Sequence, residues 1–374
     1  MARTVILTLG RLPTALDLAR GFAAIGWRVV VAEPFAWHLC RPSRAVARSY
    51  QVTAPTRDPD AYARQILEIA AREQAELILP VSEETMHLAA LHDQLPPGVR
   101  LYAPRQPEIL ALHGKRSFNS LAASHGLSVP ETVGLDQASK LLAQGRIVIK
   151  PEFSCSGRGV QFLDPGQTPP PVDPARPMLA QRFLAGEHVS SFSVAHQGQI
   201  LATSLYRAAV TSGTVAVAFE RLVDRPDAEA WIRRFAQATG HSGFISFDFI
   251  IEPGGETMAI ECNPRVTSGV HFLEPADLAC AILNPRDAAI GFRPQTRLQQ
   301  FYPCLTETQA SLFKRRRHLR RNFDVLRRTR DVAWAGSDPL PFLLMPITSM
   351  AIMRLTFGQG LSFAEAATAD IEWA

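Results

Sequence analysis

The chain has 374 residues, 47% of them hydrophobic and 20% charged, with a formal net charge of +4 at pH 7. That length is too great for one core, and the balanced composition points to a soluble globular protein of two or three α/β lobes rather than a basic nucleic-acid-binding module. Its longest apolar run, Leu340 to Met353, is broken by Pro341 and Pro346, so no membrane span is expected; with no basic-apolar-small leader at Met1, the expected location is the cytoplasm.

From the N-terminus, Val5 to Leu7 reads as a strand, Ala15 to Ile25 as a helix ended by Gly26, and Arg28 to Ala32 as a second strand ending at Glu33. This β-α-β unit carries one glycine in its first turn, too few for a dinucleotide fingerprint. Leu77 to Val81 is a further buried parallel strand whose C-terminal end delivers Ser82, Glu83 and Glu84 to where open α/β sheets place ligands. Glu83 is a candidate contact for a substrate amine. Ser82-Glu83-Glu84 also suits the start of a helix, which is the alternative use of the same residues.

Ile147 to Ile149 then forms a strand leading into Lys150, followed by Ser154-Cys155-Ser156-Gly157-Arg158-Gly159-Val160. Small residues let backbone N–H groups approach phosphate oxygens, and a lysine at the strand end adds a point charge to the same group. Taken alone, a Gly/Ser loop between strands is more often a plain hairpin turn. Cys155 is a small-residue position or a reactive thiol. The five cysteines are scattered without a C-x-x-C pair, so neither a disulfide framework nor a zinc site is indicated. A Pro-rich connector, Pro169 to Pro171, precedes the strand Met178 to Arg182, and then come Phe183, Leu184, Gly186 and Glu187.

The most informative segment is Gly243 to Ile251, a Pro-Gly-Gly turn, and Met258 to Arg265. Period-2 alternation puts Ser246, Asp248 and Ile250 on one face and Ile245, Phe247, Phe249 and Ile251 on the core face. Pairing Glu252 with Thr257 and counting back sets Asp248 opposite Glu261, with Asn263 on the same face, at a Cβ separation of roughly 5 Å. Two carboxylates that close repel one another unless a hard divalent cation lies between them, and Mg²⁺ is the expected ion. An exposed polar face explains the alternation but not Asn263-Pro264-Arg265 directly after it.

Beyond about residue 295 the pattern becomes helical, and Lys314 to Arg321 with Arg327, Arg328 and Arg330 forms a basic helix whose Leu312, Leu319, Phe323 and Leu326 share one face. A solvated basic face is the expected reading, and no aromatic interleaving supports nucleic-acid binding. The apolar stretch Phe342 to Leu355 is compatible with a docking or homodimer surface. Asp338-Pro339 and the closing Asp370 to Trp373 match no chemistry.

The ordered set Lys115, Lys150, the Gly157/Gly159 loop, Gln181 to Leu184, Glu187, Asp248, Glu261, Asn263 and Arg265 resembles the ATP-grasp superfamily, particularly its carboxylate–amine ligases, over roughly residues 105 to 290. The resemblance implies an α/β protein: an open parallel pre-ATP-grasp domain at 1–105, a lid and linker subdomain at 106–180, a catalytic subdomain at 181–295 and a helical extension at 296–374. It implies that Lys115 and Lys150 contact the ATP phosphates, that the loop with Ser156, Gly157 and Gly159 closes over them, and that Gln181, Arg182, Phe183 and Leu184 form the adenine hinge. Glu187 would accept the ribose hydroxyls, Asp248, Glu261 and Asn263 would hold Mg²⁺ (with Mn²⁺ able to substitute), and Arg265 would sit beside the transferring phosphoryl group, with Ser268 and Gly269 as substrate contacts.

Two positions depart from the pattern. Gln181 stands where many members have glutamate, and Ser246 stands where some have a substrate-binding arginine, so Arg207 is either the replacement cation or an ordinary surface arginine. The implied reaction joins a small-molecule carboxylate to an amine, amino acids among the candidates, through an acyl phosphate. A carboxylase or carbamoyl-phosphate-type enzyme and a non-catalytic nucleotide sensor are the alternatives.

Overall fold

Apolar runs buried on both faces build the first sheet. Strands β1 (Thr4–Leu7), β2 (Arg28–Glu33), β3 (Arg48–Gln51), β4 (Ala75–Leu79) and β5 (Arg100–Leu101) pair in parallel in the order β3-β2-β1-β4-β5. Val5 and Leu7 face the helix Pro13–Ala24 through Leu16, Ala19 and Phe22, while Ile6 and Val30 face Tyr62 and Ile66 of the helix Pro59–Arg72. Period-2 alternation therefore serves two helical layers at once, which is why the central strands β1, β2 and β4 are buried on both faces, while the edge strand β3 is polar and exposed at both ends. The order reverses between β1 and β4, so the ends of these two strands, Leu9-Gly10 and Ser82-Glu83, flank the crevice where such sheets bind ligands. The structure, a computed structural model, describes residues 2–154, 157–314, 316–361 and 363–373.

A four-stranded antiparallel sheet follows, made of β6 (Thr132–Gly134), β7 (Ile147–Pro151), β8 (Gln161–Leu163) and β9 (Met178–Arg182) in the order β6-β9-β7-β8. The third sheet runs β14-β13-β10-β11-β12-β15-β16, with β10 (Glu187–His196), β11 (Gln199–Ser212), β12 (Val215–Leu222), β13 (Gly243–Ile251), β14 (Thr257–Asn263), β15 (Arg297–Gln299) and β16 (Arg330–Asp331). One face of this sheet is closed by the helix Pro226–Thr239, whose Trp231 and Phe235 meet Phe247 at ring separations of 5.0 and 5.1 Å. The other face changes character along its strands. Phe192, Val194 and Phe244 pack into the core shared with the first sheet, whereas Ser190 and Asp248, a few residues along the same faces, do not. The polar site therefore begins where the interlobe core ends.

The segment past residue 296 is largely helical and contributes β15 and β16 to the large sheet. In the basic helix Arg316–Arg328 the expected face packs only in part. Phe323 is 57% exposed, while Val325 and Leu326 pack beside Cys304 and the buried Asn322 amide donates to Ser311 Oγ at 2.9 Å. The chain then folds back: Asp370 pairs with Arg11, Glu372 with Arg158, and Trp373 packs edge-on against His87. Among the described residues no helix is long and apolar enough to cross a membrane.

Candidate active site

The hairpin β13–β14 sets the geometry. Its turn is one residue tighter than the sequence count, pairing Ile251 with Thr257, and Phe249 with Ala259; a bulge at Ile260 then restores the expected opposition of Asp248 and Glu261. Because of that bulge Ala259 and Cys262 both face the aromatic core, and Glu261 turns to the polar face beside Asp248. The bulge also frees a carbonyl from the ladder: Lys150 Nζ donates to Ile260 O at 2.9 Å. Asn263 Nδ2 donates to Asp248 Oδ2 at 3.2 Å, and Ser190 Oγ donates to Asp248 Oδ1 at 2.6 Å.

Lysines converge on the same carboxylates. Lys115, at the start of the helix Lys115–Ser124, lies 3.7 Å from Glu261 Oε1 and donates to Ser154 O at 2.9 Å. Burial, with Lys115 adding repulsion, lowers Lys150 to about 8 despite the nearby Glu261. Burial likewise raises the Asp248 carboxyl above its ordinary range; His188 opposes this and Glu261 adds to it. For Lys150 and Asp248 alike, burial outweighs the nearby opposite charge and disfavours the charged form.

The other expected residues fall as follows. Gly157 (φ +69°) is placed so close to Thr214 that a Cβ would come within 2.8 Å of its Cγ2, and Gly159 turns against Pro151; Cys155 and Ser156 lie outside the described residues. Gln181 is buried in β9, donating to Thr132 Oγ1 at 2.9 Å. Backbone N–H groups of Arg182 and Phe183 donate to Glu131 O and Arg146 O, whereas Leu184 makes no backbone–backbone hydrogen bond among the described residues. Glu187 is already engaged on both oxygens, by Arg207 Nη1 at 3.2 Å and by Arg225. Arg265 Nε meets Glu83 Oε1 at 2.5 Å, and its Nη2 donates to Asn263 Oδ1 at 3.2 Å. Ser268 and Gly269 open a short 3₁₀ turn, and a Cβ on Gly269 would stand 2.6 Å from that of Phe192, so close packing demands glycine there.

Arg207 requires a correction. It does not reach the Asp248 row, because it alternates with Leu205 onto the sheet face of Val189 and Phe247, where Glu187 and Glu220 hold it. The β11 side chain that does join the row is Tyr206, paired with Ser190 and pushed up to about 12 by burial and by Asp248. Ser190, Tyr206 and His188 escaped the sequence reading. Strand alternation was their only signal, and it needs the β10–β13 register to become useful.

Among the described residues no three His, Cys, Asp or Glu side chains are grouped to hold a metal ion by themselves. Two opposed carboxylates and one amide do fit Mg²⁺, which takes few protein ligands and completes its octahedron with water and phosphate oxygens. For Asn263 to offer its oxygen, the amide would turn over from the orientation that now faces Nδ2 to Asp248.

Residues 114–269 match the family model described as an ATP-grasp domain. Among solved structures, the fold is similar to N5-carboxyaminoimidazole synthetase from Staphylococcus aureus (15% identity, TM-score 0.59, covering 78% of this chain and 80% of that one). It is similar to the L-amino acid ligase from Bacillus licheniformis (14% identity, TM-score 0.59, 76% and 74% covered). A third is the biotin carboxylase domain of Hydrogenobacter thermophilus 2-oxoglutarate carboxylase, solved as a dimer with MgADP, ADP and bicarbonate (16% identity, TM-score 0.57, 72% and 65% covered), of whose length this chain spans less than two thirds. At such identities the likeness establishes the fold. No curated protein matches in sequence.

Proposed function

Because residues 114–269 form an ATP-grasp domain, we propose that the protein is an ATP-dependent carboxylate–amine ligase that makes an amide through an acyl phosphate and releases ADP and phosphate. The observation that carries this reading is the opposition of Asp248 and Glu261 across the hairpin, with Lys115 and Lys150 beside them and Arg265 next along the strand.

Carboxylates do not condense with amines at neutral pH, because the leaving group would be an oxide. In the proposed first step a carboxylate oxygen of the acid attacks the γ-phosphorus and the bond to ADP breaks, giving an acyl phosphate. Lys115 and Lys150 hold the phosphates, and the backbone from Gly157 to Val160 approaches them. Arg265 faces the charge that spreads over the transferring oxygens. Asp248, Glu261 and Asn263 would hold Mg²⁺, or Mn²⁺ with its similar preference for oxygen ligands, which when bound neutralises the β- and γ-phosphate oxygens. The amine nitrogen then attacks the activated carbonyl, phosphate departs with its oxygen, and the nitrogen loses a proton. Leu184 offers its backbone to adenine. Glu187 can serve the ribose only if Arg207 or Arg225 yields an oxygen.

A second reading, carboxylation, draws on the likeness to N5-carboxyaminoimidazole synthetase and to a biotin carboxylase domain. Bicarbonate would then be the attacking oxygen nucleophile, at the same site. A pairwise screen of acids and amines, with bicarbonate alone as a separate arm, decides between them by following phosphate and nucleotide products. Release of ADP and phosphate dependent on both an acid and an amine supports ligation. Release dependent on bicarbonate without an amine supports carboxylation, and AMP with pyrophosphate contradicts both.

A further inference from the structure

We infer that Glu83 is a positioning residue: supplied by the N-terminal sheet, it fixes the Arg265 guanidinium for phosphoryl transfer rather than binding a substrate amine. This rests on the ligase reading above. Glu83 stands just past β4, on the crevice where the strand order reverses, and its side chain is 0% exposed. Its neighbour Glu84 ties down the end of β4, accepting from Val81 N at 2.7 Å, Ser82 N at 3.0 Å and Thr8 Oγ1 at 3.0 Å, and Glu83, at the N-cap of the helix Glu84–Leu88, makes no side-chain capping hydrogen bond.

Glu83 points outward from the first lobe to the catalytic one. Oε1 receives Arg265 Nε at 2.5 Å, and Oε2 lies 3.4 Å from His113 Nε2. Burial alone would raise the Glu83 carboxyl, but Arg265 and then His113 outweigh it and hold the group below its ordinary range, so it is an anion at neutral pH. Here Arg265 Nη2 also donates to Asn263 Oδ1, a contact that is given up if the Asn263 amide turns over to Mg²⁺, so the Glu83 bond through Nε is the one that persists. A guanidinium donates through Nε in its own plane, a directional bond that a lysine at that position could not offer.

Burial separates the two roles. A substrate amine could reach Glu83 only by entering a fully enclosed spot and displacing Arg265, and removing one partner of a buried ion pair is strongly unfavourable. The arrangement would give the N-terminal lobe a part in chemistry performed by the other: 182 residues separate the partners, and only docking of the lobes brings them together.

The test is a double-mutant cycle with Glu83→Gln, Arg265→Lys and the pair, measuring kcat and the amine KM for phosphate release. Glu83→Gln is expected to lower kcat at least tenfold with the amine KM within twofold, and to have less than a twofold further effect once Arg265 is lysine. An amine KM raised tenfold at unchanged kcat, or additive losses, overturns the inference. If Glu83→Gln does not fold, Glu83→Leu, of similar volume and without charge, takes its place. If the wild type releases no phosphate with any acid–amine pair, the ligase reading is what fails. The same cycle is then read on calorimetric affinity for MgATP relative to MgADP, where non-additive loss supports the positioning role and additive loss overturns it.

Discussion

The Arg11–Glu33–Asp370 cluster under the folded-back C-terminus and the Lys150–Asp248–Glu261 cluster on the hairpin each set one cation against an aspartate and a glutamate, yet their charges are matched in opposite ways. Glu33 accepts from Gly10 N at 2.9 Å, Arg11 N at 3.0 Å, Phe35 N at 3.0 Å, and Arg11 Nε and Nη2 at 2.8 and 2.5 Å. Arg11 also reaches both oxygens of Asp370 and lies over the Phe35 ring. Burial works against both charges, but the pairing wins: Glu33 is held below the usual carboxylate range and Arg11 above its ordinary value. At the hairpin burial wins instead, raising Asp248 and lowering Lys150. In the first cluster pairing outweighs burial and the charges stabilise one another; in the second burial outweighs pairing, as expected of a cluster that a ligand completes.

The comparison can be broken from the structural side first. Arg11→Ala leaves a fully buried Glu33 unpaired and is expected to cost about 3–5 kcal/mol in urea denaturation. The activity of the remaining folded enzyme should be near wild type. On the other side, Glu261→Gln keeps shape and one oxygen while removing a charge, so turnover is expected to fall about 100- to 1,000-fold, with a changed Mg²⁺ requirement and little change in melting temperature. Wild-type turnover of Glu261→Gln at limiting Mg²⁺ would remove the hairpin from the site.

Proton linkage sharpens the contrast. Unfolded, Lys150 keeps its proton up to about 10.5; folded, it loses it near about 8. Between those values the unfolded chain binds more protons, so this residue makes stability rise with pH across the window, by up to about 3 kcal/mol; below pH 8 its full cost is present. Lys150→Met should therefore be more stable than wild type at pH 7, and denaturation midpoints for the two should converge by about pH 11. An unchanged gap across that range would mean the lysine is not destabilised by burial. The smallest effect is expected from Cys262→Ala, about 1 kcal/mol of stability from a small cavity on the aromatic face, with turnover retained. Loss of activity there would place Cys262 on the wrong face.

Much of this site could be read along the chain because alternation is local. The faces of Ser246, Asp248 and Phe247 follow from period 2, and the opposition of Asp248 to Glu261 follows from a short turn. The bulge at Ile260 could not be read, since a tighter turn and one extra residue cancel at Glu261 and leave no trace in the count. The face of Arg207 could not be read, because it depends on how β11 registers with β10, which itself shifts at Val194. Asp370 and Glu372 had no local pattern at all; their partners Arg11 and Arg158 lie 359 and 214 residues away. Charges that pair across lobes carry meaning only once the lobes have docked.

Calorimetry of ATP binding with and without Mg²⁺, for the wild type and for Asp248→Asn/Glu261→Gln, tests most directly whether the hairpin charges are the ones awaiting a ligand. The wild type should lose at least tenfold in affinity when Mg²⁺ is chelated, while the double variant should bind ATP weakly and with the same affinity in both conditions. An undiminished Mg²⁺ response in the variant would contradict the account.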